Sequence, residues 1–199
     1  MDSHALTDPI AVFKDAFARA QRVDRALLPE PSAMSLATVD ANGSPSLRIV
    51  LLKGVDERGF VFYTNLESRK GRDLRSIPRA ALCFYWPALD LQVRVEGSVT
   101  GVTDSEANEY FASRPRGSQI GAWASTQSAV MEAAGELDAR VARHEKEFEG
   151  REVPRPDFWS GFRVTPERIE FWRNRANRLH DRTLYTRDGD RWKVETLYP

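Results

Sequence analysis

Cysteine is nearly missing from this chain of 199 residues: Cys83 is the only one. No intrachain disulfide can form, no cysteine cluster exists to hold a structural zinc, and a reducing cytoplasm is the expected setting. Histidine is almost as scarce. His4, His144 and His180 show no metal-ligand spacing, so no metal site is expected. Neither charge is in excess, with 29 Lys+Arg against 29 Asp+Glu. Without a net field, neither nucleic acid nor an anionic membrane is an expected partner, and any anion site has to be local. Apolar runs stay well short of the ~18 residues that suggest a membrane span. The start Met1-Asp2-Ser3-His4 lacks the basic and apolar regions of a secretory signal, so export is not expected either. Absent too are the Gly-x-Gly-x-x-Gly fingerprint, the Walker phosphate loop and the Gly-x-Ser-x-Gly nucleophile elbow. Cys83, inside an apolar run, reads as core filler. With no protein nucleophile in view, the pattern fits a site where a bound cofactor performs the chemistry.

What is present is a folding composition, 41% apolar and 29% charged, and a length that suits one domain over residues 1–199. Asp8-Pro9 reads as a helix cap, followed by Phe13, Phe17, Ala20, Val23 and Leu27 at roughly helical spacing. Short β-type runs follow at 35–40, 47–55, 60–64, 80–86 and 91–102, separated by turn formers such as Asn42-Gly43 and Arg58-Gly59. Ser68 is a candidate cap for a short cationic helix ahead of Pro78. Asp104 is expected to cap a helix to about Ser113, and 128–148 to form a longer one. Strands are expected again at 161–164, 168–172, 179–186 and 191–197, with Asp188-Gly189 as a hairpin turn. Closely spaced strands point to an antiparallel sheet or barrel with peripheral helices, mainly β.

Several basic segments are candidates for anion binding. If Arg178-Leu179-His180-Asp181-Arg182 is extended, Arg178, His180 and Arg182 share one face, where guanidinium forks could hold a phosphate. The plainer alternative is a solvated edge strand whose charges discourage aggregation. Arg48 and Lys53 end an apolar strand at odd separation, so both reach one ligand only if the strand bulges or its ends project past the sheet; otherwise they snorkel. Ser68-Arg69-Lys70 joins a cap, a helix dipole and two cations, a combination that favours an anion. Tyr110 and Arg114 share a helical face if the helix reaches that far, with Ser118 in a turn beyond; the alternative is an ordinary helix terminus. Gln92 and Gln127-Ser128 could read a ring edge or a ribityl chain.

Taken together, these segments resemble the pyridoxine/pyridoxamine 5′-phosphate oxidases. The resemblance runs from about Asp8 to Pro199 and rests on RIVLLK (48–53), FYTN (62–65), SRK (68–70), QVRVEG (92–97), YFASRPRGSQIGAW (110–123), Gln127-Ser128, FWSGFR (158–163), IEFW (169–172) and RLHDR (178–182). It implies an FMN-binding split β-barrel that works as a homodimer with FMN at the subunit interface. The FMN contacts it implies are Arg48, Ile49, Val50, Leu51, Leu52, Lys53, Tyr63, Thr64, Arg69, Lys70, Gln92, Gln127, Ser128, Trp172 and Arg182. It further implies a substrate phosphate held by Lys53, Tyr110, Arg114 and Ser118, with Arg178 and His180 beside the reacting end of the substrate as catalytic residues. The reaction implied is oxidation of pyridoxamine or pyridoxine 5′-phosphate to pyridoxal 5′-phosphate. Oxygen is the acceptor, hydrogen peroxide is released, and the amine substrate also gives ammonia. A split-barrel flavin oxidase acting on another substrate, such as a phenazine precursor, and a non-catalytic flavin or pyridoxal phosphate carrier are the alternatives.

Overall fold

Each strand of this chain closes on a neighbour running the opposite way. The computed structural model describes residues 8–199; the start at residues 1–4 lies outside them. The strands are β1 (Ala33–Val39), β2 (Pro45–Leu51), β3 (Gly54–Asp56), β4 (Gly59–Asn65), β5 (Arg79–Trp86), β6 (Leu91–Gly101), β7 (Trp159–Arg173), β8 (Asp181–Asp188) and β9 (Arg191–Thr196). They form one antiparallel sheet ordered β2-β1-β5-β6-β7-β4-β3, from which β8 and β9 branch off β7. The branch has a local cause. The first half of β7 pairs with β4 and its second half with β8. Between these halves stands Pro166, which has no N–H to donate; opposite it the β6–β7 register shifts at Glu96/Gly97. A Cβ on Gly97 would collide with the Thr165 carbonyl, so only glycine lets the two backbones approach this closely.

Helix α1 (Pro9–Gln21) starts where Asp8 accepts hydrogen bonds from the Ile10 and Ala11 amides. Its buried residues Ile10, Phe13, Ala16 and Ala20 seal one mouth of the curled sheet. Phe13 meets Phe60 at 4.8 Å and Phe84 at 4.9 Å between ring centroids, both edge-on. Burying each such ring contributes about 1.5–3 kcal/mol. Trp86 joins this cluster and donates its indole N–H to the Pro31 carbonyl at 2.9 Å. A second apolar cluster of Phe111, Ile120, Phe148, Val153 and Trp159 joins α3 (Asp104–Ser113), α4 (Arg116–Ala124) and α5 (Glu136–Glu147) to the start of β7.

Several expectations are corrected. The 47–55 run is two strands, because the chain leaves the sheet at Leu52-Lys53, while 161–164 and 168–172 are one continuous strand. The helix expected over 128–148 begins only at Glu136, since Ser128 (φ 74°) and Gly135 (φ 82°) are left-handed and interrupt it. Thr103, not Asp104, caps α3, forming a capping box with Glu106. Residues expected to form a loop around Ser118 are instead α4.

Candidate active site

The split in the barrel is where two strand edges lack sheet partners. Among the described residues β2 pairs with β1 alone, and β3 covers only Gly59–Val61 of β4. The free edges of Arg48–Leu51 and Phe62–Asn65 border a cleft of about 720 Å³. Lining it are Arg48, Ile49, Val50, Leu51, Lys53, Tyr63, Thr64, Lys70, Tyr110, Arg114, Ser118 and Gln127, together with Asn65, Trp159 and the helical residues between them. The break at Leu52-Lys53 resolves the odd spacing of Arg48 and Lys53, since the departure from β-geometry lets both reach one cleft. Leu52 itself turns into the core, 5% exposed.

One end of the cleft is built on α2 (Arg69–Ser76). Fully buried Ser68 caps it, accepting from the Gly71 amide at 3.3 Å and donating to the Asn65 carbonyl at 2.7 Å. Lys70 donates to Gln127 Oε1 at 2.9 Å and Thr64 Oγ1 at 3.2 Å. Burial, and then the nearby Arg48, hold its pKa below the usual lysine range. Arg48 is likewise depressed, first by burial, with Asp73 opposing. Arg69 and Ser128 lie just outside the lining; the Arg69 amide donates to Ser128 Oγ at 3.3 Å.

At the other end Tyr63 stacks on Tyr110 at 4.1 Å and on Trp159 at 5.5 Å. The Arg114 guanidinium lies 4.7 Å from the Trp159 ring centroid, and Lys53 Nζ lies 6.0 Å from that of Tyr110. Helix α3 stops at Ser113 and Arg114 is extended, so Arg114 and Tyr110 converge through a helix end and not along one helical face. Arg114 Nη1 is buried without a hydrogen-bond partner, and Ser118 follows in the first turn of α4. Burial lowers the Arg114 pKa, partly offset by Tyr110. The donor set at both ends suits anions, and Tyr63, Tyr110 and Trp159 stack on one another as an aromatic wall of the cleft; the residues fit a ring system carrying phosphate.

Of the remaining expected residues, which do not line this cleft, Gln92, Trp172, His180 and Arg182 form a second group. Gln92 pairs with Trp172 and Trp172 with Arg182 across β6, β7 and β8, so the three side chains share one sheet face. The His180 ring lies against Trp172, tilted by 42° with centroids 4.5 Å apart. The RLHDR segment is not extended throughout: Asn177 and Arg178 are left-handed, at φ 59° and 60°, and β8 begins only at Asp181. Arg178 therefore does not share a period-two face with His180 and Arg182. On this face Glu170, 7% exposed, binds Arg182 at 2.8 Å and Arg94 at 3.2 Å. The same face continues across β5, β1 and β2 through Tyr85, Leu47 and Ile49, which are 61%, 68% and 63% exposed.

Residues 21–173 match the family model described as pyridoxamine 5′-phosphate oxidase, and residues 159–199 match the pyridoxine 5′-phosphate oxidase C-terminal dimerisation region. The chain belongs to the pyridoxamine 5′-phosphate oxidase family. Among its relatives, the pyridoxine/pyridoxamine 5′-phosphate oxidase of Anaeromyxobacter dehalogenans is 57% identical over 98% of this chain and 97% of that protein. The one from Myxococcus xanthus (strain DK1622) is 57% identical over 96% of this chain and 92% of its own length. Among solved structures, PhzG from Burkholderia lata 383, in complex with tetrahydrophenazine-1-carboxylic acid, superposes with a TM-score of 0.90 at 33% identity, covering 97% and 93% of the two chains. A pyridoxamine 5′-phosphate oxidase-related, FMN binding protein from Nostoc punctiforme shares the fold, with a TM-score of 0.73 at 20% identity over 94% and 97% of the chains. This pyridoxamine 5′-phosphate oxidase family member is thus an oxidoreductase on a split-barrel sheet, and no helix among its described residues is long and apolar enough to cross a membrane.

Trp159 and Asn65 were not among the expected site residues, although both sit inside motifs that carry the resemblance. Trp159 opens the FWSGFR strand, and no spacing rule marks an aromatic at a strand start as a cleft wall. Asn65 donates to the Ser125 carbonyl at 3.4 Å, joining β4 to the end of α4.

Proposed function

We propose that the chain oxidises pyridoxamine 5′-phosphate or pyridoxine 5′-phosphate to pyridoxal 5′-phosphate, with FMN as cofactor and oxygen as final acceptor. The observation that carries this reading is the pair of cationic seats in one cleft. Lys70, Arg48, Thr64 and Gln127 form one; Lys53, Tyr110, Arg114 and Ser118 form the other. Two phosphorylated ligands, cofactor and substrate, account for both. FMN, when bound, supplies the hydride acceptor. The protein's own part is orientation: Arg114, stacked on Trp159, meets the substrate phosphate with its free Nη1, and phosphate binding energy fixes the ring's pose.

The second group, Gln92, Trp172, His180 and Arg182, together with Arg178, serves the cleft of a partner subunit in a homodimer. The match of residues 159–199 to a dimerisation region supports this. So does Ile49, which both lines the cleft and belongs to the exposed apolar face, so that the two adjoin. Arg178 and His180 then lie beside the carbon to be oxidised, positioning it and stabilising charge. The likeness to PhzG favours a second reading, in which the same cleft takes a phenazine carboxylate. Purified protein should show a flavin spectrum and form aldehyde and peroxide from pyridoxamine 5′-phosphate. Bound flavin with turnover only of tetrahydrophenazine-1-carboxylic acid would reject the first reading, and bound flavin without any turnover would leave a carrier.

A further inference from the structure

Behind the cofactor end of the cleft is a carboxylate that the proposed chemistry does not use. Asp73 lies on the sheet-facing side of α2, one turn after Lys70, and is 5% exposed. It accepts a hydrogen bond from Thr38 Oγ1 at 2.7 Å, and Thr38, itself 1% exposed on β1, accepts one from Arg48 Nη1 at 2.7 Å. The direct Arg48–Asp73 approach is longer, 3.9 Å. Arg48 also donates to the Leu36 carbonyl at 3.2 Å and to Ser46 Oγ at 2.7 Å. Those contacts are neutral, and the Thr38 branch alone ends on a charge.

A hydroxyl has one proton to give. Ionised Asp73 can only accept, so it takes that proton and leaves the Thr38 lone pairs aimed at Arg48. The resulting chain, Arg48 to Thr38 to Asp73, is charge-assisted at both ends and shielded from water, where such links are strongest. It also ties β2 to α2, so the two cations of the seat, Arg48 and Lys70, take their spacing from one helix. We propose that Thr38 and Asp73 are positioning residues that set the Arg48 guanidinium for the anionic end of the cofactor, without touching that cofactor themselves.

This inference rests on the FMN reading, and the test separates the two. FMN affinity of the apoprotein is measured by quenching of flavin fluorescence for the wild type, Thr38→Val, Thr38→Ser, Arg48→Ala and the Thr38→Val/Arg48→Ala double variant. Thr38→Val is expected to weaken FMN roughly tenfold in the wild-type background but less than about twofold when Arg48 is already alanine, with Thr38→Ser restoring most of the loss. Should Thr38→Val fail to fold, Thr38→Ala, which adds no bulk, is read in the same cycle. Equal losses in both backgrounds, or no loss in either, would overturn the positioning role. A wild-type protein that does not take up FMN would instead overturn the cofactor reading on which it stands.

Discussion

Arg114 lies over Trp159 with Nη1 unpartnered, and among the described residues it forms no ion pair. A hydrogen bond to a charged group is worth about 1.5–3 kcal/mol. Arg114→Lys, which keeps the charge but loses the planar fork and the stacking, should therefore raise KM for pyridoxamine 5′-phosphate by about tenfold or more. Flavin content should stay intact, and a parallel loss of flavin would place Arg114 at the other seat. Lys70 predicts a pH dependence. Its pKa in the free protein is held down by burial and Arg48, and a bound phosphate would raise it again, so binding takes up a proton. FMN affinity should be full below the depressed value and fall as pH rises through it, before exposed lysines titrate. Titrating FMN across alkaline pH checks this, and Lys70→Arg should move the fall to higher pH. In the free protein the burial cost on charged Lys70 is present below that same depressed value and is relieved as pH rises toward the unfolded pKa.

At the scale of elements, α2 is held in place by contact as much as by its cap. A Cβ on Gly71 would run into the Leu66 backbone, which cannot swing aside as a flexible side chain could. Gly71→Ala should cost about 1–3 kcal/mol in urea unfolding and shift Lys70 out of register, weakening FMN as well. This helix was legible from residues alone, since Ser68 announces its cap ahead of Arg69 and Lys70. So were the hairpin turns at Gly43 and Gly189, both left-handed as their sequences imply. Less legible were features decided by distant partners. Leu52-Lys53 leaves the sheet because Leu52 is drawn into the core while the Lys53 amide bonds the Val61 carbonyl at 2.8 Å. The left-handed Arg178 belongs to no strand pattern, and Trp159 gains its meaning only once Tyr63, Tyr110 and Arg114 surround it.

For the whole molecule, the exposed row of Leu47, Ile49 and Tyr85 beside Gln92 and Trp172 is the surface on which a second copy should sit. A charge placed there would have to be desolvated without a partner. Tyr85→Glu should thus shift sedimentation from dimer toward monomer and lower flavin affinity with it. A monomer that keeps full affinity would mean that the cleft needs nothing from a neighbour. Glu170→Gln tests the same surface from inside: Arg182 loses its anionic anchor, and flavin should weaken while the apoprotein still associates.

If the two groups of residues serve different pockets of a homodimer, as proposed, damage to each is inherited by a different pocket. If Arg114→Ala chains are refolded with an equal amount of His180→Ala chains, every hybrid pair collects both lesions in one pocket and leaves its other pocket intact. Assayed at substrate well below the KM of the Arg114 variant, where each preparation alone turns over little, the mixture should then regain about a quarter of the wild-type rate, as random pairing of a twofold assembly requires. A chain that carried its entire catalytic apparatus on one surface would regain none.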